Sequence, residues 1–237
     1  MTDIHTHILP EMDDGAATVE ESLDMLRMEY EQGIDAVVLT SHFYPKREGL
    51  VSFLARRAES YEKLLQAIGQ LPQSEQERLP DLYLGAEVAW QSDLLELDDL
   101  RPLCLGKSKY MLVELPFTVL NDSLIRQLYE LMTCHGITPV IAHLERYLDG
   151  QSKKIVKKLI ELDIPIQISS GMFESFFERR TALKLLRSDK AHVIASDCHD
   201  CEHRKPSLAT ALRYVERAFG HSCVDEMSNL SYTLVQG

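Results

Sequence analysis

Basic residues are in short supply in this 237-residue chain: 25 Lys and Arg stand against 37 Asp and Glu, a formal charge of −12. Such a surface has no general affinity for nucleic acid or anionic membranes. It still admits an anionic substrate, because a metal site can invert the field locally. Cysteine is scarce as well. Five cysteines, an odd number and mostly scattered, do not make a disulfide framework. No apolar run approaches the ~18–20 residues of a membrane span. The opening Met1-Thr2-Asp3-Ile4-His5 has neither the basic nor the apolar region of a secretory leader, so a cytoplasmic location is expected. There is no G-x-G-x-x-G and no G-x-x-x-x-G-K-[ST], which takes weight from nucleotide-binding open sheets. Repeats, low-complexity tracts and linkers are absent too.

What is present is an ordinary globular mixture, 45% apolar and 26% charged, long enough to bury a sizeable core. The length suits one large α/β domain or two small ones. Short apolar runs predict strands at 3–5, 36–40, 82–86, 111–115, 138–142, 165–168 and 192–195. Helical patterns lie between them. Val19, Leu23, Leu26 and Tyr30 fall on one stripe behind a capping box at Thr18 and Glu21. Leu124, Leu128 and Leu131 form a second stripe, closed by Gly136. Ile155, Leu159 and Leu162 form a third; Leu208, Leu212 and Val215 form a fourth, ahead of Gly220. Residues 53–68 are a further helix candidate, and 69–80 read as a surface loop. Strand–helix alternation repeated about seven times implies a parallel sheet. An open doubly wound sheet and a closed (β/α) barrel both fit, and the missing nucleotide motifs favour a barrel of about seven or eight strands.

Metal-ligating residue types recur at the ends of these strands. His5 and His7 close the first and His42 follows the second. Glu87 follows the third, Glu114 lies near the end of the fourth, His143 closes the fifth, and Asp197 and His199 follow the seventh. In a parallel barrel all these ends meet on one face. Residues i and i+2 of a strand point the same way, so His5 and His7 can grip one ion, and Asp197 with His199 repeats the arrangement. Imidazole and carboxylate without thiolate suit Mn, Fe or Zn. Taken singly each has a plainer explanation: His-x-His is a weak signal, Glu114 can be a buried structural carboxylate, and Asp13-Asp14-Gly15 can be only a turn. Jointly they are harder to dismiss, because charge at six of seven strand ends is costly unless paired or metal-bound.

The run Asp3-Ile4-His5-Thr6-His7-Ile8-Leu9-Pro10, followed by Asp13-Asp14-Gly15-Ala16, resembles the opening of PHP-domain (polymerase and histidinol phosphatase) proteins. Within them it most resembles the bacterial manganese-dependent tyrosine-protein phosphatases of capsule and exopolysaccharide loci. Thr40-Ser41-His42, Gly85-Ala86-Glu87, Ala142-His143-Leu144-Glu145-Arg146-Tyr147 and Ser196-Asp197-x-His199 continue the match, which runs from Asp3 to about Leu212. The resemblance implies one PHP phosphatase domain over residues 1–237, an α/β fold of the distorted (β/α)7 TIM-like barrel type. It implies three divalent ions, Mn first, with Fe, Zn or Co as alternatives. His5, His7, Glu87 and Asp197 would hold the first ion; Glu87, Glu114 and His143 the second; Asp14, His42 and His199 the third. Arg146 and Arg204 match positions that contact the substrate phosphate. The chain departs from the family after His42, where it has Phe43-Tyr44-Pro45, around Cys201 and His203, and over its last fifteen residues.

The implied reaction is hydrolysis of a phosphomonoester, phosphotyrosine on a protein, by a hydroxide bridging two ions. The partner would be a tyrosine-phosphorylated protein such as an exopolysaccharide-locus tyrosine kinase. No general acid is assignable; Asp200 and His203 lie nearby in sequence. The same cluster also suits a histidinol-phosphate-type phosphatase, a metal-dependent nuclease, or a non-catalytic metal-binding module. Cys198 to Arg204 spells C-x5-R, the spacing of cysteine-dependent phosphatases, but without glycine and with Asp200 and Glu202 set to repel phosphate and raise the thiol pKa. Cys198-x-x-Cys201 also has the spacing of a redox or zinc pair. Tyr44, Phe117, Phe173, Phe176 and Phe177 are candidates for walls around an aryl group, with core packing the stronger reading for each. Oligomeric state cannot be read.

Overall fold

A computed structural model describes residues 1–237, the side chain of Lys153 apart. Every strand pairs in parallel. One sheet has the order β1 (Thr2–Thr6), β2 (Ala36–Leu39), β4 (Asp81–Leu84). A second has β3 (His42–Phe43), β5 (Glu87–Ala89), β6 (Tyr110–Glu114), β7 (Thr138–Ile141). The third pairs β8 (Gln167–Ser169) with β9 (Val193–Ala195). Single parallel bridges, Thr6 to Cys198 and Ile141 to Ile166, join this pair to the other two sheets. The expected seven runs are all present as strands. Two short strands, β3 and β5, were not expected.

Both arise where a strand bends and continues. Between β2 and β3, Thr40 pins the bend: its hydroxyl accepts the Thr6 N–H at 3.0 Å and donates to the Thr6 carbonyl at 3.1 Å. Between β4 and β5 the chain passes Gly85, where a Cβ would lie 3.0 Å from Val38 and 3.1 Å from Leu105. The buried Arg57 guanidinium donates to the Gly85 carbonyl at 2.7 Å and so satisfies an acceptor that the bend takes out of the ladder. The consequence for the site is direct, since β3 opens with His42 and β5 with Glu87.

The helices follow their caps. Helix α1 (Val19–Glu31) starts at Thr18, whose hydroxyl accepts the Glu21 N–H. Glu21 reaches back to the Ala17 N–H, one residue earlier than a regular capping box requires. Its buried face carries Ser22, Met25 and Glu29 beside Leu23 and Leu26, while Tyr30 is partly exposed. Helix α2 (Leu50–Gln70) covers the expected 53–68, and a single turn, α3 (Gln73–Gln76), interrupts the expected loop. Helix α4 (Asp122–Cys134) is capped by Asn121 and buries Leu124, Leu128 and Leu131. Helix α5 (Lys153–Ile160) ends before Leu162. Helices α6 (Phe176–Arg187) and α8 (His221–Gln236) were not foreseen; α7 (Leu208–Phe219) was, and Gly220 ends it at φ 91°. Among the described residues no helix is long and apolar enough to cross a membrane.

Helix α8 explains the last residues of the chain. Leu234 and Val235 pack with Ile4, Val38, Leu112, Val140 and Val193 from five strands. The Val235 carbonyl accepts the Lys107 N–H at 3.0 Å, and the Leu234 carbonyl accepts the Ser108 hydroxyl at 2.7 Å. Gly106 permits this approach: its φ is 58°, and a Cβ there would meet the Val235 carbonyl at 2.6 Å.

Candidate metal centre

The C-terminal ends of the strands gather imidazoles and carboxylates. His5 lies in β1 and His7 just beyond it; Glu114 ends β6; His143, Asp197 and His199 follow β7 and β9. His143 and Asp197 sit in the left-handed region, at φ 32° and 54°. Such strain costs roughly 1–3 kcal/mol per residue and persists only where the surroundings over-determine it. For His143 one determinant is Gln167, whose side-chain oxygen accepts the His143 N–H at 2.7 Å and lies 3.4 Å from His5 Nδ1.

Three overlapping groups result, each able to offer its ligand atoms within 4.8 Å of one another: His5, His7, Glu87 and Asp197; His7, Asp14, His42 and His199; and His42, Glu87 and Glu114. The first coincides with the set expected for the first ion. The second is the expected third set with His7 added. In the last group His42 stands where His143 was expected, although His143 Nε2 remains 2.7 Å from Glu87 Oε1 and 3.6 Å from Glu114 Oε1. All nine residues proposed from the sequence are therefore neighbours.

The donor geometry fits a cation. Glu87 Oε2 lies 3.0 Å from His42 Nδ1, 3.2 Å from His5 Nε2 and 3.3 Å from His7 Nε2. Yet among the described residues neither Glu87 Oε2 nor His42 Nδ1 makes a hydrogen bond, and His199 Nε2 is likewise buried and unpartnered. His5 Nε2 and His7 Nε2 face each other at 3.2 Å. Close nitrogens and carboxylate oxygens that fail as hydrogen bonds are costly when buried. Divalent ions would satisfy them.

Hydrogen bonds behind the ligands hold the rings. Asp13, absent from the sequence-based set, accepts from His7 Nδ1 at 2.9 Å, from the His42 N–H at 2.8 Å and from the Gly15 N–H at 3.0 Å. The bond at Nδ1 leaves His7 Nε2 facing the cluster, the carboxylate–imidazole arrangement that orients metal ligands. Burial alone would raise the Asp13 pKa, but the His7 charge and these bonds hold it well below the ordinary carboxylate range. Burial opposes charge on His7 too; Asp13 and Glu87 outweigh it and lift the His7 pKa to about 10. Glu87 is held low by His5 and His143 against its burial, whereas burial and the nearby Glu87 raise Glu114. His199 donates from Nδ1 to the Asp197 carbonyl, which leaves Nε2 free. The signal for Asp13 was present, an acid six residues after His7. Its neighbour Asp14 is largely exposed and faces His42 and His199.

Arg146 and Arg204 both rest on Asp197 Oδ2, at 2.6 and 2.8 Å, while Asp197 Oδ1 faces His5 at 3.3 Å. The sequence-based expectation set these arginines on the substrate phosphate, with an ordinary surface ion pair as the plainer alternative for each. Each is half-exposed, and each has a carboxylate partner that sequence alone did not indicate. Asp200 is not at the cluster's centre: its carboxylate accepts the N–H groups of Glu202, His203 and Arg204. That consumes the backbone donors a C-x5-R loop needs for phosphate. Cys198 is fully buried beside Glu29, and burial, Glu29 and Asp3 push its thiol well above the ordinary range, the reverse of an activated nucleophile. Cys198 and Cys201 are free thiols, with Cys201 set against the Glu21 carbonyl.

A cleft of about 440 Å³ opens over the cluster, lined by Asp14, His42, Tyr44, Trp90, Glu114 and Phe117 among others, with Arg146 and Arg204 at its side. Of the aromatic candidates, Tyr44 and Phe117 reach it. Phe173 is buried in the core, and Phe176 and Phe177 are exposed away from the cleft lining.

Comparison with known proteins points the same way. A family model described as capsular polysaccharide synthesis, CpsB/CapC, matches residues 1–232. The tyrosine-protein phosphatase CpsB of Streptococcus agalactiae is 32% identical, over 96% of this chain and 94% of its own. The tyrosine-protein phosphatase YwqE of Bacillus subtilis is 30% identical, over 100% of this chain and 89% of its own. A solved chain from the crystal structures of YwqE from Bacillus subtilis and CpsB from Streptococcus pneumoniae, described as unique metal-dependent tyrosine phosphatases, superposes with a TM-score of 0.81 at 26% identity. It covers 100% of this chain and 94% of that one. A phosphotriesterase homology protein from Escherichia coli shares the fold at a TM-score of 0.55 and 12% identity, over 98% of each chain.

Proposed function

This chain belongs to the CpsB/CapC capsular polysaccharide synthesis family, and on that premise we propose that it is a metal-dependent phosphomonoesterase that removes phosphate from tyrosine on a phosphorylated protein. The observation that carries the reading is Glu87 Oε2, within 3.3 Å of three imidazole nitrogens and hydrogen-bonded to none. His5, His7, Asp14, His42, Glu87, Glu114, His143, Asp197 and His199 would hold the metal, three divalent ions with Mn first in line. Divalent ions bound there supply Lewis acidity, lowering the pKa of water and neutralising charge that builds on the phosphoryl oxygens.

The chain's own residues do the rest. Glu87, touching members of all three groups, couples them. Asp13 and Gln167 hold His7, His5 and the His143 backbone in place. Arg146 and Arg204 grip the phosphoryl oxygens with guanidinium forks that match phosphate bidentately; their station on Asp197 Oδ2, at the edge of the cleft, supports this. A phenoxide is a comparatively good leaving group, so no strong acid is required, in keeping with an Asp200 carboxylate committed to backbone N–H groups.

The fold in this reading is one distorted (β/α)7 barrel spanning residues 1–237, supported by the parallel bridges Thr6–Cys198 and Ile141–Ile166 between sheets. The partner is a capsule-locus tyrosine kinase with a phosphorylated tail, met in the cytoplasm. The test is hydrolysis of p-nitrophenyl phosphate and a phosphotyrosyl peptide by chelator-stripped protein, with and without Mn²⁺, beside histidinol phosphate and a DNA substrate. Metal-restored turnover of the peptide is expected. Turnover indifferent to metal, or a preference for histidinol phosphate or DNA, overturns the reading.

A further inference from the structure

Two series of ring contacts start from imidazoles of the cluster and end in the cleft. On one side the Tyr44 ring lies 5.0 Å from the His42 ring, and the Arg47 guanidinium lies over Tyr44 at 4.3 Å. On the other, the buried Tyr147 ring lies 5.9 Å from His143, and Phe117 stacks on Tyr147 at 5.8 Å with the planes 23° apart. Tyr147 is fixed by its hydroxyl, which donates to the Leu115 carbonyl at 2.9 Å. Trp90, 5% exposed, adds a third ring to the lining and is held by its N–H on Gln127.

Phe117 is anomalous for a structural residue. It is 66% exposed, and it lies three residues beyond Glu114, where β6 ends. An exposed phenylalanine adds nothing to the core; here it stands at the mouth of a polar cluster, with a rigid ring beneath it. Tyr44, two residues after His42, lines the same cleft. The cleft therefore has charge at its base and flat apolar faces at its entrance. A phenyl ring carrying phosphate has the matching order of charge and apolar surface. An alkyl phosphate such as phosphoserine has the charge but too short a side chain to present a face to both rings.

We propose that Tyr44 and Phe117 form an aryl subsite that selects aromatic over alkyl phosphomonoesters, the ring of the substrate lying between them while its phosphate reaches Arg146, Arg204 and the cluster. The proposal rests on the phosphatase reading above and names what makes that site choose its substrate class. Arg47 lends the subsite a cation on the Tyr44 ring, which holds that ring in place. Trp90 closes the inner side.

Binding separates this selection from leaving-group chemistry. Calorimetry on Mn-loaded protein compares phenylphosphonate with methylphosphonate, and p-nitrophenyl phosphate turnover is followed on the same samples. The wild-type protein should bind phenylphosphonate about tenfold or more tightly than methylphosphonate. Phe117→Ala and Tyr44→Leu should each reduce that ratio several-fold, the double variant should bring it near one, and Phe117→Tyr should keep it. The ratio is internal to each sample, so a partly unfolded variant does not mimic the result, and measured Mn content identifies one that has lost the cluster. A ratio near one in the wild type, or one unmoved in the double variant, overturns the subsite while leaving a working phosphatase intact. A wild-type protein that hydrolyses no phosphomonoester overturns the phosphatase reading itself, and the subsite with it.

Discussion

Where the strands begin, α8 lays Leu234 and Val235 against Ile4, Val38, Leu112, Val140 and Val193, and hydrogen bonds from Lys107 and Ser108 take up the carbonyls of that contact. Where the strands finish, His5, His7, His42 and Glu87 face one another at 3.0–3.3 Å, and His42 Nδ1 and Glu87 Oε2 are buried and unpartnered. One end is apolar and satisfied, the other polar and unsatisfied. The difference teaches where each end gets its stability. The first is stable through packing within the chain. The second lacks a partner that the chain does not supply, and His143 and Asp197 are held there in the left-handed region.

The sharpest way to break the comparison is His143→Ala. Removing an outer-sphere partner of a metal site costs about 10–100-fold, so removing a ligand from the unsatisfied end should cost more than that in phosphatase turnover. The circular dichroism spectrum and melting temperature of the metal-free chain should stay near wild type, since the packed end is untouched. Normal turnover would remove His143 from the site. The mirror experiment is Leu234→Ala. It should cost roughly 2–5 kcal/mol in urea unfolding, the usual range for a buried leucine. Mn affinity should remain unchanged, because Leu234 is not among the residues that meet at the cluster. A fall in Mn affinity equal to that of a ligand variant would mean that the ends are coupled.

A smaller effect is expected behind the ligands. Asp13→Asn should lower Mn affinity about 10–100-fold in competition with a chelating dye, while the metal-free melting temperature moves far less. Proton competition refines the same point. The His7 pKa is lifted from 6.5 to about 10, so its pairing with Asp13 and Glu87 stabilises the metal-free chain fully below pH 6.5 and is lost as pH rises through about 10. Asp13, held low, contributes above its ordinary range and is lost in acid. Mn must displace the His7 proton, so its affinity should climb with pH between about 6.5 and 10 and release protons. A pH-independent affinity would show that His7 is neutral before metal arrives.

The polar end was more legible than the packed one. Imidazoles and carboxylates at strand ends announce themselves because few other residues do their chemistry, and parallel strands bring their ends together. The apolar end left a weaker trace: α8 sets Ser228, Asn229, Ser231 and Thr233 among its apolar residues, which blurs its packing face. The strands β3 and β5 were hidden for another reason. They continue earlier strands across bends held by Thr40 and Arg57, side-chain bonds that leave no mark in hydrophobic periodicity. Asp13 and Asp14 are adjacent and chemically alike; only the turn that buries one and exposes the other distinguishes them. The partnership of Arg146 and Arg204 with Asp197, 51 and 7 residues away in sequence, required the fold.

The smallest expected effect is also the one that guards the comparison. Cys198 and Arg204 carry the spacing of a cysteine phosphatase, and if that chemistry operated, the unsatisfied cluster would be incidental. Two observations oppose it. The thiol is fully buried with Glu29 beside it and its pKa is pushed up by burial and by carboxylates, and the N–H groups of Glu202, His203 and Arg204 are already taken by Asp200. Cys198→Ser should therefore leave metal-dependent turnover of a phosphotyrosyl peptide near wild type, with at most a modest loss of stability where serine reaches Glu29 less closely than sulfur does. Turnover lost while Mn content stays at the wild-type level would make the thiol the nucleophile, and the cluster would then need another purpose.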